Sequence, residues 1–521
     1  VDGGGPDDAV ATTRATVRMP ASPPAGRGTS TWYCAAGTAE ADGFADHTVS
    51  IQNPTDDDLH ATVTVYRGAI VPRRPAEGAD AAAPRPSTAA PPVVDEVDLP
   101  SGSTTSVRLG DLVDAPLAAA LVEVDGADVA VEHRVQGPHG ADAGPCSTFA
   151  SSTWHFAWGS TARDARDVVV LFNPFPSSAT VDARFVTEDG GREPVRFQGF
   201  PIPPGSVVGV DVGEDVTGAD QVAASFRVRS GRVVVERLAE LDGSFGVSGL
   251  SLGLGTPAPA TTWVFADGGA SAPALGPPDP ATGERTPPDG DRRDDADALV
   301  TTERIVVYNP GDERAEVEVD LVPTADEPAP PPQPFGLSVG PGRFEVVDYG
   351  AQRRVVAGVE HATVVRSTNG APIVAERLTV DEGPEPDDDD GSDARPDEVS
   401  AALGSPLAAT LWRVPLPDAG VEGADGGSAV VVFNPGLDGS VRVRLAGPDG
   451  DIGSAVSVPG GERRVIPLDG DVLDELGDGA GLSVEADGPV VVERVVRSGD
   501  GRRIAVGPAV PASDGAVDLG A

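Results

Sequence analysis

Three residue patterns in this chain could do chemistry. The first is Gly249-Leu250-Ser251-Leu252-Gly253, a match to the G-x-S-x-G of a serine nucleophile elbow. That chemistry needs a strained strand-to-helix turn exposing the serine, with a histidine and an acid around it. Here the motif follows an apolar strand and no helical pattern comes after it. A glycine-rich edge strand or turn is therefore the better reading, and a hydrolase using Ser251 ranks last among the functions considered. The second pattern is glutamate beside arginine: Glu236-Arg237, Glu376-Arg377 and Glu493-Arg494, with Glu132-His133-Arg134 as a near match. Paired carboxylates could serve a glycosidase. Neighbours on a strand point to opposite faces, however, and buried charges need local partners. The recurrence of the dipeptide in successive units points to an ion pair or a strand–turn hydrogen bond. The third pattern is Trp154, His155, Phe156 and Trp158, the densest aromatic patch in a chain that is only 4% aromatic. It is the candidate ligand patch, suited to stacking on a sugar ring.

Other chemistry finds little support. The six histidines show no H-E-x-x-H or comparable ligand spacing. The acidic runs Asp387–Asp390 and Asp291–Asp297 offer oxygen ligands of the kind calcium takes. They lack the D-x-D-x-D-G loop pattern, so they read as solvated charged linkers. No catalytic, metal-binding or cofactor-binding residue is assigned, and the expectation is that the protein is not an enzyme. Cys34 and Cys146 cannot make a four-ligand zinc site unaided. A disulfide fits an exported chain and would close a loop of roughly 100 residues, worth ~4–5 kcal/mol in the chain-entropy model. Two buried free thiols are the alternative.

The elements that must position these residues repeat along the chain. An apolar run ending in Asn-Pro occurs four times, at 49–54, 168–174, 305–310 and 429–435. Its asparagines are Asn53, Asn173, Asn309 and Asn434, spaced by 120, 136 and 125 residues. Proline cannot donate a ladder hydrogen bond and holds the preceding residue extended. Each run therefore reads as a buried strand stopping at a turn. Trp32, Trp154, Trp263 and Trp412 precede the four runs, in positions that suit core anchors. Alternating strands follow at 61–66, 179–186, 315–322 and 440–445, then turns at Pro100-Ser101-Gly102, Pro204-Gly205, Pro341-Gly342 and Pro459-Gly460. The Glu–Arg strands close each unit. Short helical turns are expected near 110–120 and 470–477. Short alternating strands with frequent turns predict an all-β protein, with four tandem immunoglobulin-like β-sandwich modules at 28–148, 150–255, 258–382 and 402–514. Segments 73–92, 268–298 and 323–334, rich in Pro, Asp and Ala, read as inserts. Segment 381–398 reads as an acidic link between modules three and four.

Composition narrows the function classes. The chain of 521 residues has 82 acidic and 38 basic residues, a formal charge of −44, and no lysine. Such a surface repels phosphate backbones, so nucleic acid is excluded as a partner and anionic membranes are poor ones. Missing lysine fits either a GC-rich coding sequence or a salt-adapted surface. Val1 starts the chain and Met19 is its only methionine. This reads as a mature or trimmed chain whose signal peptide or anchor is missing from the N-terminus, and an N-terminal membrane tether outside the chain fits that reading.

These motifs resemble the xNP … PxG … VAER modules of uncharacterised exported proteins of actinobacteria. The start Trp32-Tyr33-Cys34, followed by Ala35-Ala36-Gly37, is similar to the opening of a domain of unknown function, family 5719. The resemblance covers most of the chain outside the acidic inserts, whose length here departs from the pattern. It implies β-sandwich modules, export and a place in the cell envelope, and it supplies no catalytic residues. The resulting expectation is an extracellular or cell-surface structural or interaction protein, with a protein or cell-wall glycan as partner. A carbohydrate-binding protein using the 154–158 patch is the second reading.

Overall fold

The structure is a computed structural model. It describes residues 19–24, 26–72, 90–244, 247–269, 300–324, 331–352, 354–356, 358–382, 397–416, 428–477, 479–497 and 503–520. Both acidic runs considered for calcium lie outside these residues, as do most of the Pro- and Asp-rich segments.

The protein is almost wholly β, with sandwiched sheets. The first group of strands comprises β1 (Ser30–Cys34), β2 (Asp46–Gln52), β3 (Leu59–Ile70), β4 (Val93–Leu99), β5 (Thr104–Arg108), β6 (Leu117–Val124), β7 (Ala130–Gly137) and β8 (Gly140–Pro145). One sheet runs β1-β6-β3-β4 and the other β5-β2-β7-β8. Alternation dictates which side chains meet: Val49 and Ile51 of β2 and Val63 and Val65 of β3 face each other in a core that also holds Trp32. The segment Leu117–Ala120, expected near a helical turn, is strand: a short 3₁₀ turn at Leu109–Asp111 precedes it, and its small apolar side chains are buried in β6.

The plan recurs. The second group has β9 (Thr153–Phe156), β10 (Ala165–Asn173), β11 (Ala179–Thr187), β12 (Gly190–Arg192), β13 (Phe200–Ile202), β14 (Ser206–Asp211), β15 (Ala223–Ser230), β16 (Val234–Asp242) and β17 (Ser248–Leu254). The third has β18 (Thr262–Phe265), β19 (Val300–Asn309), β20 (Ala315–Pro323), β21 (Phe335–Val339), β22 (Arg343–Asp348), β23 (His361–Ser367), β24 (Val374–Glu382) and β25 (Glu398–Leu403). The fourth has β26 (Leu407–Val414), β27 (Ala429–Phe433), β28 (Ser440–Gly447), β29 (Gly450–Pro459), β30 (Arg463–Pro467), helix α1 (Gly470–Leu476, capped by Asp469), β31 (Leu482–Arg497), β32 (Arg503–Pro508), β33 (Val510–Pro511) and β34 (Val517–Asp518). The acidic segment expected to link modules three and four instead connects β24 to β25. These two strands pair in one sheet from Glu376↔Leu403 to Asp381↔Glu398, and the alternate apolar side chains Val399 and Ala401 of β25 are buried in a core shared by the second and third groups.

The recurring turns have a common physics. Each Asn-Pro asparagine is buried, and its Nδ2 donates across the sandwich to the end of another strand: Asn53 to the Leu99 carbonyl, Asn173 to Ile202, Asn309 to Val339 and Asn434 to Val458. Its Oδ1 accepts the amide two residues on, at Thr55, Phe175, Gly311 and Gly436. Positive φ falls at Gly102, Gly205 and Gly342, and in the fourth turn at Gly461, one residue beyond the expected Gly460. Trp154, Trp263 and Trp412 donate Nε1–H to the carbonyls of Val233, Ile373 and Val490, three residues before the glutamate of each Glu–Arg pair.

The groups close into a ring. Their last strands gather at its centre, β8 against β17 and β32, and β25 against β17 and β32. Between the first two groups, β3 pairs in parallel with β14, with Gly68 opposite Val207 and Gly209 opposite Ile70. At the fourth contact the first described segment, 19–24, meets the segment 511–513. Ser22 exchanges backbone hydrogen bonds with Pro511 and Ser513, and Met19 is buried in the core of the fourth group.

Candidate functional site

The Glu–Arg pairs lie at the joints between strand groups, and Ser251 lies at the ring centre.

At each joint a glutamate reaches back to the preceding group, and an arginine, or at the first joint His133, reaches forward to the next. Glu236 accepts the amides of Ala35 and Ala36 at 2.8 and 2.7 Å. Glu376 accepts those of Ala157 and Trp158 at 3.0 and 2.9 Å. Glu493 accepts that of Asp267 at 3.0 Å. These donors sit three or four residues after each group's tryptophan. At the fourth joint that place is Pro415, which has no N–H; there Arg494 donates to the Pro415 carbonyl. The forward contacts complete the circle: His133 Nε2 to Glu236 at 3.4 Å, Arg237 Nη2 to Glu376 at 3.3 Å, Arg377 Nη1 to Glu493 at 3.0 Å, and Arg494 Nη2 to Glu132. Glutamate and cation of one strand point to opposite faces, and both are buried because a neighbouring group packs on each side.

Burial opposes every charge in this circle. It pushes the Glu132 and Glu493 carboxyls up, against the pull of Arg494 and Arg377. For Arg377 burial works downward, but Glu493, Asp267 and Glu303 outweigh it and the guanidinium is held more firmly protonated.

The aromatic patch does not form a ligand platform. Trp154, Phe156 and Trp158 are 0%, 1% and 3% exposed, so no sugar can stack on them. Trp154 fills the core of its own sandwich. Trp158 and Phe156 cover Arg237 at the second joint, with the guanidinium carbon 4.8 and 5.2 Å from their ring centres. His155 hydrogen-bonds Ser225, which bonds Tyr308 of the third group; burial pulls its pKa down to about 4. The aromatic spacing was legible in sequence, but its destination depends on a group more than a hundred residues away.

The G-x-S-x-G motif lies on β17 at the ring centre. Ser251 is 1% exposed. Its Oγ donates to Asp142 of β8 at 3.2 Å and accepts the Ala401 amide of β25 at 3.0 Å. Asp142 also accepts the amides of Leu252 and Ala143, and burial pushes its pKa up to about 7. A Cβ on Gly249 would stand 2.6 Å from the Val399 side chain, so the glycine permits β17 and β25 to touch. The space left at the centre is about 10 Å³, lined in part by Asp142, Asp381 and Glu398, room for about one water molecule. Sequence reasoning missed Asp142 and the histidine pair His47 and His133. The signal available was the departure of Glu132-His133-Arg134 from the dipeptide pattern. Among the described residues no three His, Cys, Asp or Glu side chains form a group that could hold a metal ion.

Cys34 and Cys146 form a disulfide, with Cα atoms 4.7 Å apart. It ties the end of β1 to the segment after β8. Cys34 immediately precedes the two amides that Glu236 accepts.

Comparison with known proteins adds a family. The pattern of the Family of unknown function (DUF5719) matches residues 126–392. The chain belongs to this family. The DUF5719 match runs from the first group's Glu132 through the third group's Glu376 and Arg377, so it spans the second joint whole and the His133–Glu236 contact of the first, but not the first joint's Ala35 and Ala36. No curated protein matches the chain. Among solved structures, the chain is similar to the Anabaena sensory rhodopsin transducer, at 23% identity over 23% of this chain and 88% of that one, with a TM-score of 0.16. It is also similar to the Thermotoga maritima protein 1070, at 16% identity over 28% and 93%, with a TM-score of 0.18. Overlaps of that size bear on neither fold nor function.

Proposed function

We propose that this protein is an exported structural or interaction scaffold of the cell envelope, with four tandem modules locked into a ring. The observation that carries this reading is the closed circle of buried joints, three arginine–glutamate pairs and one histidine–glutamate contact: the repeated polar residues are used to hold strand groups together. Two further features support it. The Cys34–Cys146 disulfide suits an oxidising compartment, and the formal charge of −44 suits a soluble, well-solvated surface. The buried Ser251 and the ~10 Å³ central space argue against a hydrolase centred there, since small-molecule sites usually offer ~300–1,000 Å³.

Protease shaving of intact native cells, combined with mass spectrometry of the unreduced protein, tests the proposal. The expected result is digestion from outside, with Cys34 linked to Cys146. Recovery from the cytosol with both thiols reduced would overturn the location. Fluorophosphonate labelling of Ser251 in the folded protein would overturn the scaffold role.

A further inference from the structure

Three of the four joint cations are guanidiniums, which stay charged at any working pH. The first is an imidazole. In the strand β7, His133 occupies the register place of the arginines: it stands opposite Val49, as Arg237 stands opposite Val169, Arg377 opposite Ile305 and Arg494 opposite Val430. Two residues before these partners, the second and third groups carry Asp167 and Glu303, whose charges act on Arg237 and Arg377. The first group carries His47 there. Where the second and third groups place a carboxylate whose charge acts on the arginine, the first places one imidazole against another.

Hydrogen-bond directions follow from the partners. His47 Nδ1 lies 2.9 Å from the Ala118 carbonyl, which only accepts, so Nδ1 carries a hydrogen. Burial, then the neighbouring His133, holds His47 well below the ordinary imidazole range and therefore neutral. Its Nε2 is then an acceptor, and His133 Nδ1 donates to it at 2.9 Å. That leaves His133 Nε2 facing Glu236 at 3.4 Å. With a proton there, His133 is an imidazolium and completes the joint. Without it, a lone pair faces a carboxylate that is already holding the Ala35 and Ala36 amides.

We propose that the first joint is proton-operated: it holds while His133 carries both ring protons and loosens, alone among the four, when the Nε2 proton leaves. The charged and titratable groups around it are consistent with this assignment. Glu236 faces it from β16 and His47 from β2. On β8 its register partner is Gly144, with Asp142 two residues away. On β7 itself, Glu132 is engaged by Arg494 of β31, and Arg134 is acted on by Asp46 of β2. Glu236 is thus the carboxylate placed to hold the proton. A bound proton is lost as pH rises, so the joint is tight at the acidic end and loose at the basic end.

Hydrogen exchange in the full chain tests this, with the intrinsic pH dependence of exchange removed. From about pH 5.5 to about pH 8.5, protection of Ala35 and Ala36 is expected to fall on the order of tenfold, the change for losing one hydrogen bond to a charged group. The Asp267 amide at the third joint should stay level. A His133→Gln variant keeps a donor without a titrating charge, and its Ala35 and Ala36 protection should not depend on pH. Asp142 still titrates in that variant, so a wild-type profile surviving there would overturn the proposal. Equal profiles at the first and third joints would overturn it as well. Should the variant not fold, ¹⁵N imidazole shifts of the wild type read the proton directly, and a His133 Nε2 without one at about pH 5.5 would overturn it.

Discussion

A carboxylate removed from water stays charged only where a cation and hydrogen-bond donors replace the lost solvent. Glu493 has both, in Arg377 and the Asp267 amide. Arg377→Ala leaves Glu493 buried without its counter-charge and is expected to destabilise the fold by about 3–5 kcal/mol, measured by denaturant unfolding. Asp142 behaves differently, because burial outweighs its hydrogen bonds and the pull of Arg494. It protonates at about 7 in the folded chain, against ~3.9 for an unfolded aspartate. Between those values the folded state holds a proton that the unfolded chain has released. Stability therefore falls as pH rises from about 4 to about 7. Asp142→Asn removes that charge and should flatten part of the decline, raising stability at pH 8 by up to about 4 kcal/mol by linkage. Asp167, also raised to about 7 by burial, retains its own share. Melts of both proteins across this range check the sign.

At the scale of elements, close approach at the ring centre decides which residues are tolerated. Gly249 lets β17 lie against Val399 of β25, so Gly249→Val should cost about 1–3 kcal/mol through overpacking, read as a lower thermal midpoint. Much of this level was legible in the sequence. Period-2 alternation and the Asn-Pro stops reveal strands because both act through the local backbone, and β10 and β27 lie where those runs end. The strand β25 was not legible as part of the third group, since its partner β24 lies beyond an acidic segment and pairing is set by the sheet, not by nearness in the chain. The candidate site was legible in its residue types only. Glu236, Glu376 and Glu493 stand out by recurrence, but their donors belong to other groups, and no local pattern encodes that meeting. For the same reason the aromatic cluster 154–158 looks like a surface platform in the sequence and is the cover of a joint in the structure.

For the whole molecule, closure unites distant segments of one chain. The disulfide holds the first group's ends together, and Cys34→Ser with Cys146→Ser should lower stability by ~4–5 kcal/mol in the loop-entropy picture, measured by unfolding with and without reductant. The ring itself depends on the fourth joint, where Arg494 of β31 meets Glu132 of β7, with Gln52 Nε2 donating to the Leu482 carbonyl and Arg413 bonding Asp128 beside it. A double-mutant cycle on Glu132→Gln and Arg494→Met tests the closed ring most directly. The two residues lie in the first and last groups of strands, so an unclosed chain would keep them apart. The account predicts a coupling energy of about 1–3 kcal/mol between them. Effects that add to within about 0.5 kcal/mol would contradict it.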